Sequence, residues 1–138
     1  MVNTIDMKDM RQLNLFSKIT RISTHYIFSY NEHIIFCVPN QKLKKAVGAG
    51  ASNVKRISEI LKKRVKILAC PRGVEDAKSF IEKIVAPVTF KDLEITDTEI
   101  ILTAGPQSKA ALLGRNKRRL IEMQEIVKGF FKREYRVI

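Results

Sequence analysis

Metal-ligating side chains are scarce in this sequence, which has only two cysteines and two histidines in 138 residues. No Cys-x-x-Cys pair occurs, so a zinc site with the usual spacing of Cys and His is excluded, and we expect no bound metal and no cofactor. Cys37 and Cys70 lie in apolar, strand-like runs, where a free cysteine behaves as a small hydrophobic residue. A disulfide between them remains an alternative, but it would not fit a reducing cytosol.

Long apolar runs are also missing. No stretch approaches the roughly 18 residues that a membrane-spanning helix needs. Residues 1–6 lack the basic region followed by an apolar stretch that a signal peptide has. We therefore expect a soluble, cytoplasmic protein without a membrane partner.

The motifs of the common enzyme classes do not occur. The sequence has no Gly-x-Ser-x-Gly, Walker loop or His-Glu-x-x-His, and Gly48-Ala49-Gly50 lacks the rest of a dinucleotide fingerprint. The closest acidic pairs, such as Asp6/Asp9 and Glu75/Asp76, lie at helix starts or on a strand, where solvated or capping carboxylates are common. We expect no catalytic residues and no small-molecule substrate.

Acidic residues are few relative to basic ones: 14 against 26, for a net charge of +12. Residues 1–70 hold 13 of the basic and only 4 of the acidic residues, so most of the excess lies in the first half. Such a balance favours a polyanionic partner, usually nucleic acid and less often an anionic membrane surface. A basic but inert surface is the alternative, and the clustering of the charges argues against it.

The hydrophobic spacing of the first half predicts the order α-β-β-α-α-β. Apolar residues at mostly three-residue spacing, beginning with Met7 and Met10, indicate an amphipathic helix. Ser52 or Asn53 is expected to cap the last helix. The predicted elements are a helix over 6–19, strands over 24–30 and 33–38, a helix over 41–47, a glycine-rich turn, a helix from 52 and a strand over 64–69.

The same order repeats after the breaker Pro71-Arg72-Gly73, with strands predicted over 88–95, 99–103 and 135–138. A shift of 66 residues aligns 33–61 with 99–127 without a gap and gives six identities in 29 positions. We therefore predict an α/β (α+β) chain of two similar units, each with a three-stranded sheet packed against three helices. The expected ranges are a first domain over 1–70, a short linker over 71–73 and a second domain over 74–138.

Both units carry a turn between two helices that is rich in basic residues. Gly48 and Gly50 let the first turn bend sharply and approach another molecule closely, with cations on either side of them. The cations of the second turn begin a helix, where they oppose the macrodipole, and this favours a bound anion. The alternatives are a tight turn that binds nothing and a basic surface that only keeps the protein soluble.

The pattern apolar-Gly-x-x-small-x-x-apolar at Val47, Gly48, Ala51 and Val54 resembles the phosphate-clamping loop of a KH domain. Two consecutive units with a helix before the strands resemble tandem type II KH domains, and a chain holding only that pair resembles the archaeal NusA-like transcription factors. The family loop is Gly-x-x-Gly, and Ala51 and Lys117 stand in the place of its second glycine. The resemblance implies binding of single-stranded RNA and a role in transcription termination or antitermination, with RNA polymerase as a candidate partner. A KH-type protein of ribosome assembly, or an RNA chaperone, is the alternative.

On this resemblance each turn holds the backbone of about four nucleotides, and the bases lie in a groove between the following helix and the neighbouring strand. Apolar residues expected to wall the grooves, with core packing as the alternative for most of them, are Val47, Val54, Ile57, Val65, Ile67, Leu113, Leu120, Met123 and Val137. The residues predicted to bind RNA are Lys44, Lys45, Val47, Gly48, Ala49, Gly50, Ala51, Asn53, Lys55, Arg56, Lys66, Gly114, Arg115, Asn116, Lys117, Arg118 and Arg119. We also expect Gly48→Asp to weaken RNA binding without unfolding the protein.

Overall fold

The first unit contains three helices and three strands in the order that the sequence predicts. The structure is a computed structural model that describes residues 6–138, so residues 1–5 of the segment inspected for a signal peptide lie outside it. The described chain divides between Cys70 and Pro71 into two compact units. The elements of the first unit are α1 (Met7–Thr20), β1 (Tyr26–Tyr30), β2 (His33–Val38), α2 (Leu43–Val47), α3 (Ser52–Leu61) and β3 (Arg64–Ala69).

Local sequence explains how these elements begin and turn. Asp6 and Asp9 form a capping box at the start of α1, with the Asp9 N–H donating to Asp6 Oδ1 over 2.8 Å. Asn31 and Glu32 both have positive φ, which suits the two-residue turn between β1 and β2. Strand β2 lies at the centre of the sheet, antiparallel to β1 and parallel to β3.

The core of the first unit fixes α3 against the sheet. Phe16 of α1 stacks on Phe36 of β2 with ring centroids 4.5 Å apart, and Ile57 of α3 is fully buried in the same cluster. Only the second half of the expected apolar face of α1 packs into the core, because Met7 and Met10 are exposed and burial begins at Leu13. The beginning of α3 therefore projects from a fixed helix, and this positions the first turn.

The second unit has the same order of elements and the same sheet topology, with β5 between antiparallel β4 and parallel β6. The strand predicted from Val88 begins only at Asp92, since the Val88 N–H bonds back to the Val85 carbonyl and extends the helix end into a turn. The elements are α4 (Ala77–Val85), β4 (Asp92–Ile95), β5 (Glu99–Thr103), α5 (Pro106–Leu113), α6 (Arg118–Phe131) and β6 (Glu134–Val137).

The repeat holds through the turns and then changes register. Helix α6 has 14 residues and α3 has 10, a difference of about one helical turn. As a result His33 pairs with Arg64 in the first sheet, whereas its counterpart Glu99 pairs with Glu134 in the second. The added turn ends in Phe131, which is buried and contacts Phe80 of α4 edge to face.

Both cysteines are free thiols. Cys37 is fully buried on β2, and Cys70 is half-buried just beyond β3. A hydrogen bond between the two thiols, together with burial, raises the pKa of Cys37, and the same bond lowers the pKa of Cys70. The described residues include no group of three or more His, Cys, Asp or Glu side chains that could hold a metal ion. Among the helices of residues 6–138, none is both long and apolar enough to cross a membrane.

Candidate nucleic-acid interface

The two glycine-containing turns share one backbone conformation. Gly48 has φ 80° and ψ 164°, and Gly114 has φ 74° and ψ 174°. Gly50 and Asn116 both lie near φ 60° and ψ 28°. Ala51 and Lys117 then share values near φ 60° and ψ 27°, with 61° and 29° in the first turn and 58° and 25° in the second. Three of the four residues in each turn therefore have positive φ, and the two turns are structural copies.

Glycine is required at the first position of each turn. A Cβ on Gly48 would lie 2.7 Å from Ser52 Oγ and 3.1 Å from the backbone nitrogen of Asn53. Its φ and ψ also fall in a region that only glycine occupies at low cost. That Gly48→Asp does not unfold the protein stays a prediction, but the substitution would distort the turn itself, so weaker RNA binding would not isolate the effect of the carboxylate.

Gly50 has a different environment. A Cβ built there meets no atom within 4 Å, so a side chain would project into open space. Its φ of 60° is the left-handed conformation that Asn and Asp tolerate best among residues with a side chain. Asn116 already occupies the equivalent position in the second turn. This position therefore accepts a charged or neutral probe without a change in the turn.

Side chains from the following helices fix both turns to the preceding helices. Asn53 Nδ2 donates to the carbonyl oxygens of Lys45 and Ala46, at 3.2 and 3.1 Å. In the second unit Arg119 Nη1 donates to the carbonyl oxygen of Ala111 over 2.9 Å. Arg119 and Ala111 are the counterparts of Asn53 and Lys45 at the 66-residue shift. Asn53 and Arg119, which were both predicted to bind RNA, thus have a structural role in their turns.

The helices that follow the turns begin without a capping side chain. The expectation that Ser52 or Asn53 caps α3 is wrong, since the N-cap residue is Ala51, and Lys117 holds the same place before α6. Neither an alanine nor a lysine side chain can accept a hydrogen bond. The first turn of each helix also contains no Asp or Glu. The N–H groups of Ser52 and Arg118, the first residues of the two helices, donate to the carbonyl oxygens of Ala49 and Arg115. The positive ends of the helix dipoles, with no carboxylate in the first turn, are suited to an anion from outside the chain.

Basic side chains surround both helix starts. Most of the predicted cations are exposed, whereas Arg119 is half-buried at its hydrogen bond. Ala49 and Gly50 at the tip of the first turn are exposed, and Val47, Gly48 and Ala51 are half-buried; Asn116 is exposed and Gly114 half-buried in the second. The exposed cations are Lys44, Lys45, Lys55 and Arg56 around the first turn and Arg115, Lys117 and Arg118 around the second.

A groove of about 460 Å³ runs along the first unit between α3 and β3, and it begins where α3 leaves the turn. Val54 and Val65 line it, but Ile57 and Ile67, which were expected to wall it, belong to the core. Lys66 also lines the groove, and burial lowers the pKa of its ammonium group. We call this feature the α3–β3 groove.

Four groove-lining residues were missed by the sequence analysis: His33, Ser58, Glu59 and Arg64. Ser58 and Glu59 could have been predicted from the sequence, because they lie on the same helix face as Val54 and Lys55. In the second unit the counterparts of His33 and Lys66 are Glu99 and Arg136. These two side chains contact each other, with Glu99 Oε2 3.3 Å from Arg136 Nε. Met123, expected as a wall there, is fully buried in the core, whereas Leu113, Leu120 and Val137 are half-buried.

Comparison with known proteins gives two curated relatives, and no family model matches the chain. The probable transcription termination protein NusA of Methanococcus vannielii is 26% identical over 114 residues, which cover 80% of this chain and 64% of that protein. The protein of the same name from Methanocaldococcus jannaschii is 24% identical over 129 residues, covering 91% of this chain and 69% of the relative. The chain thus spans about two thirds of the length of the curated relatives that it matches.

A solved structure shares the fold. The crystal structure of APE1850 aligns with 97% of this chain and 99% of its own, with a TM-score of 0.65 and 20% sequence identity. At this level of identity the similarity establishes the mixed α and β architecture alone.

Proposed function

We propose that this chain, which is similar to two archaeal proteins named as probable transcription termination protein NusA, binds single-stranded RNA through two tandem type II KH domains and acts in transcription termination or antitermination. The domains are residues 1–70 and 74–138, joined by the short linker 71–73. The order α-β-β-α-α-β and the matching sheets of the two units support this assignment. The names of the two relatives support the role in termination.

The observation that carries the proposal is the shared conformation of the two turns. Each turn directs an uncapped helix start and a set of exposed cations toward solvent. The positive end of a helix dipole and the cations around it bind phosphate oxygens without any requirement for base sequence. Two copies of one strained conformation with little other sequence identity suggest a common ligand, and the phosphate backbone of RNA fits both.

In the mechanism that we propose, the turn holds the phosphates and the groove holds the bases. The turn fixes the backbone of about four nucleotides, and the bases that follow enter the α3–β3 groove. Lys55 borders the turn and also lines the groove, so it connects the two parts of the site. In the second unit Lys117 adds a charge where the family has glycine, and we propose that this turn contributes attraction with little base selection.

RNA polymerase is the protein partner that we propose, on the strength of the relatives' names. Recovery of polymerase subunits with the tagged protein would support this partner, whereas recovery of ribosomal subunits alone would favour a role in ribosome assembly. We also propose that the chain is a binding protein and not an enzyme. RNA incubated with it, with or without divalent metal or nucleotide, should then keep its length.

The experiment that tests RNA binding by the first turn compares Gly50→Asp with Gly50→Asn. Both residues tolerate the backbone at this position, and both side chains project into open space. The variants therefore differ in one carboxylate near the bound phosphates. We expect Gly50→Asp to bind single-stranded RNA about fivefold more weakly than Gly50→Asn, because two like charges at close range in water repel by about 1 kcal/mol. Equal affinities of the two folded variants would remove the first turn from the site.

A further inference from the structure

His33 lies at the end of the α3–β3 groove that is remote from the first turn. It is the first residue of β2 and pairs with Arg64, the first residue of β3, whereas the turn precedes the N-terminal end of α3. Its ring nitrogen Nδ1 is 2.8 Å from the carbonyl oxygen of Asn31. Because a carbonyl oxygen can only accept, Nδ1 donates in this contact and carries the ring proton. In the neutral imidazole Nε2 is then a hydrogen-bond acceptor, and it is the ring nitrogen left for a ligand in the groove.

The groove combines this acceptor with donors. Lys66 and Arg64 line it, and their ammonium and guanidinium groups can only donate. An acceptor with donors close by complements a base edge that presents an amino group next to an unprotonated ring nitrogen. Adenine and cytosine have that edge, whereas uracil and guanine present a keto oxygen next to a ring N–H. Glu59 adds a second acceptor to the same groove, and its carboxylate can accept from the exocyclic amino group of either base.

We propose that His33 is a specificity-determining residue, whose Nε2 accepts a hydrogen bond from the exocyclic amino group of an adenine or cytosine at this end of the groove. This inference rests on the proposed function and names the class of base that the first unit selects. A bidentate contact to a base discriminates by about fivefold or more, and we expect this single contact to give about fivefold.

The second unit lacks the same arrangement. The counterpart of His33 is Glu99, and the counterpart of Lys66 on the last strand is Arg136. These two side chains form an ion pair of 3.3 Å, so the acceptor and the donor contact each other. We therefore assign base selection to the first unit, and Glu99 supplies a matched control position.

The test measures the affinity of the full chain for short oligouridine RNAs in which A, C or G replaces one uridine at each position in turn. For the natural sequence we expect one position where A and C bind about fivefold more tightly than G and U. In His33→Asn the amide N–H can still donate to the Asn31 carbonyl, but no acceptor replaces Nε2, and the preference should fall below about twofold. His33→Gln, whose side-chain oxygen can replace Nε2, and Glu99→Gln should both keep the preference.

Glu59→Ala separates the two acceptors of the groove, because alanine has no side-chain acceptor. We expect this variant to keep at least about half of the preference, because His33 is unchanged. Loss of the preference in Glu59→Ala, its persistence in a folded His33→Asn, or equal binding of all RNAs by the natural chain would overturn the inference. None of these results affects RNA binding by the first turn, which is tested separately by the comparison of Gly50→Asp with Gly50→Asn.

Discussion

At the residue scale, both turns depend on backbone conformations that side chains rarely adopt. By spacing, Ala51 and Lys117 stand in the place of the second glycine of the family loop. Both keep a backbone conformation that favours glycine, with a φ of 61° at Ala51 and 58° at Lys117. A residue with a Cβ in this region costs about 1–2 kcal/mol relative to glycine. Each turn therefore stores strain beside the proposed phosphate site, as binding loops often do.

Replacing Ala51 by glycine tests this strain. Ala51→Gly should raise the free energy of unfolding by about 0.5–1 kcal/mol, because relief of the left-handed conformation exceeds the entropy that glycine loses on folding. The matched control is Ala49→Gly in the same turn, where φ is not positive. That variant should lose about 0.5–1 kcal/mol. Urea unfolding of both proteins would measure the difference, and a loss of stability in both would contradict the assigned strain.

At the element scale, the contact between each helix pair is completed by one polar side chain of the second helix. Asn53 and Arg119 differ in size and charge, yet both donate to the end of the preceding helix. Removing either donor leaves carbonyl oxygens at the helix end without that hydrogen bond. These side chains therefore join α2 to α3 and α5 to α6 across the turns.

Alanine substitution of these residues should lower stability. Asn53→Ala and Arg119→Ala should each cost about 1 kcal/mol of unfolding free energy, the typical worth of such a hydrogen bond. Arg115→Ala, at an exposed cation of the same second turn, is the control and should change stability by less than about 0.5 kcal/mol. A result in which Arg119→Ala is as stable as Arg115→Ala would show that the hydrogen bond to Ala111 does not support the turn.

Much of this element order could be predicted from the sequence, for identifiable physical reasons. Strands β2 and β5 have sharp beginnings because a turn precedes each apolar run, and α5 begins at Pro106, a residue type favoured at the first helical position. The start of β4 was missed because Val88, Thr89 and Phe90 have strand propensity, whereas pairing with β5 decides the boundary. The 66-residue shift identified both turns, but spacing alone carries no information on φ or on the hydrogen bonds of Asn53 and Arg119. The lining of the groove depends on which residues the core buries. Ile57 and Ile67 do not line the groove because they are buried in the core.

At the scale of the whole molecule, the net charge of +12 makes binding to a polyanion depend on salt. Each phosphate neutralised on a single strand contributes about −0.7 to the slope of log affinity against log salt. If one turn holds about four phosphates, the slope should be about −3, and affinity should fall about 50-fold between 50 and 200 mM salt. Equal affinities at the two concentrations would contradict an electrostatic contact.

The second turn permits a finer version of that titration. Lys117→Asn removes a charge at a φ of 58°, which asparagine tolerates. We expect the magnitude of the slope to fall by about 0.7, with an equal loss of affinity for two unrelated RNAs. The same change should leave stability equal or slightly higher, since it removes a cation from a helix N-terminus. A loss confined to one RNA would mean that this turn selects bases.

The central claim is that both turns contact the RNA backbone, and the most direct test is the RNA affinity of Gly50→Asp/Asn116→Asp relative to Gly50→Asn. The single variant has asparagine at the equivalent position of both turns, and the double variant has aspartate at both. The two proteins therefore differ only in two carboxylates placed on matching backbone, near φ 60° and 56°. We expect binding about twentyfold weaker for the double aspartate variant at low salt, with an equal or slightly higher melting temperature. Equal affinity of the two folded proteins would contradict the central claim.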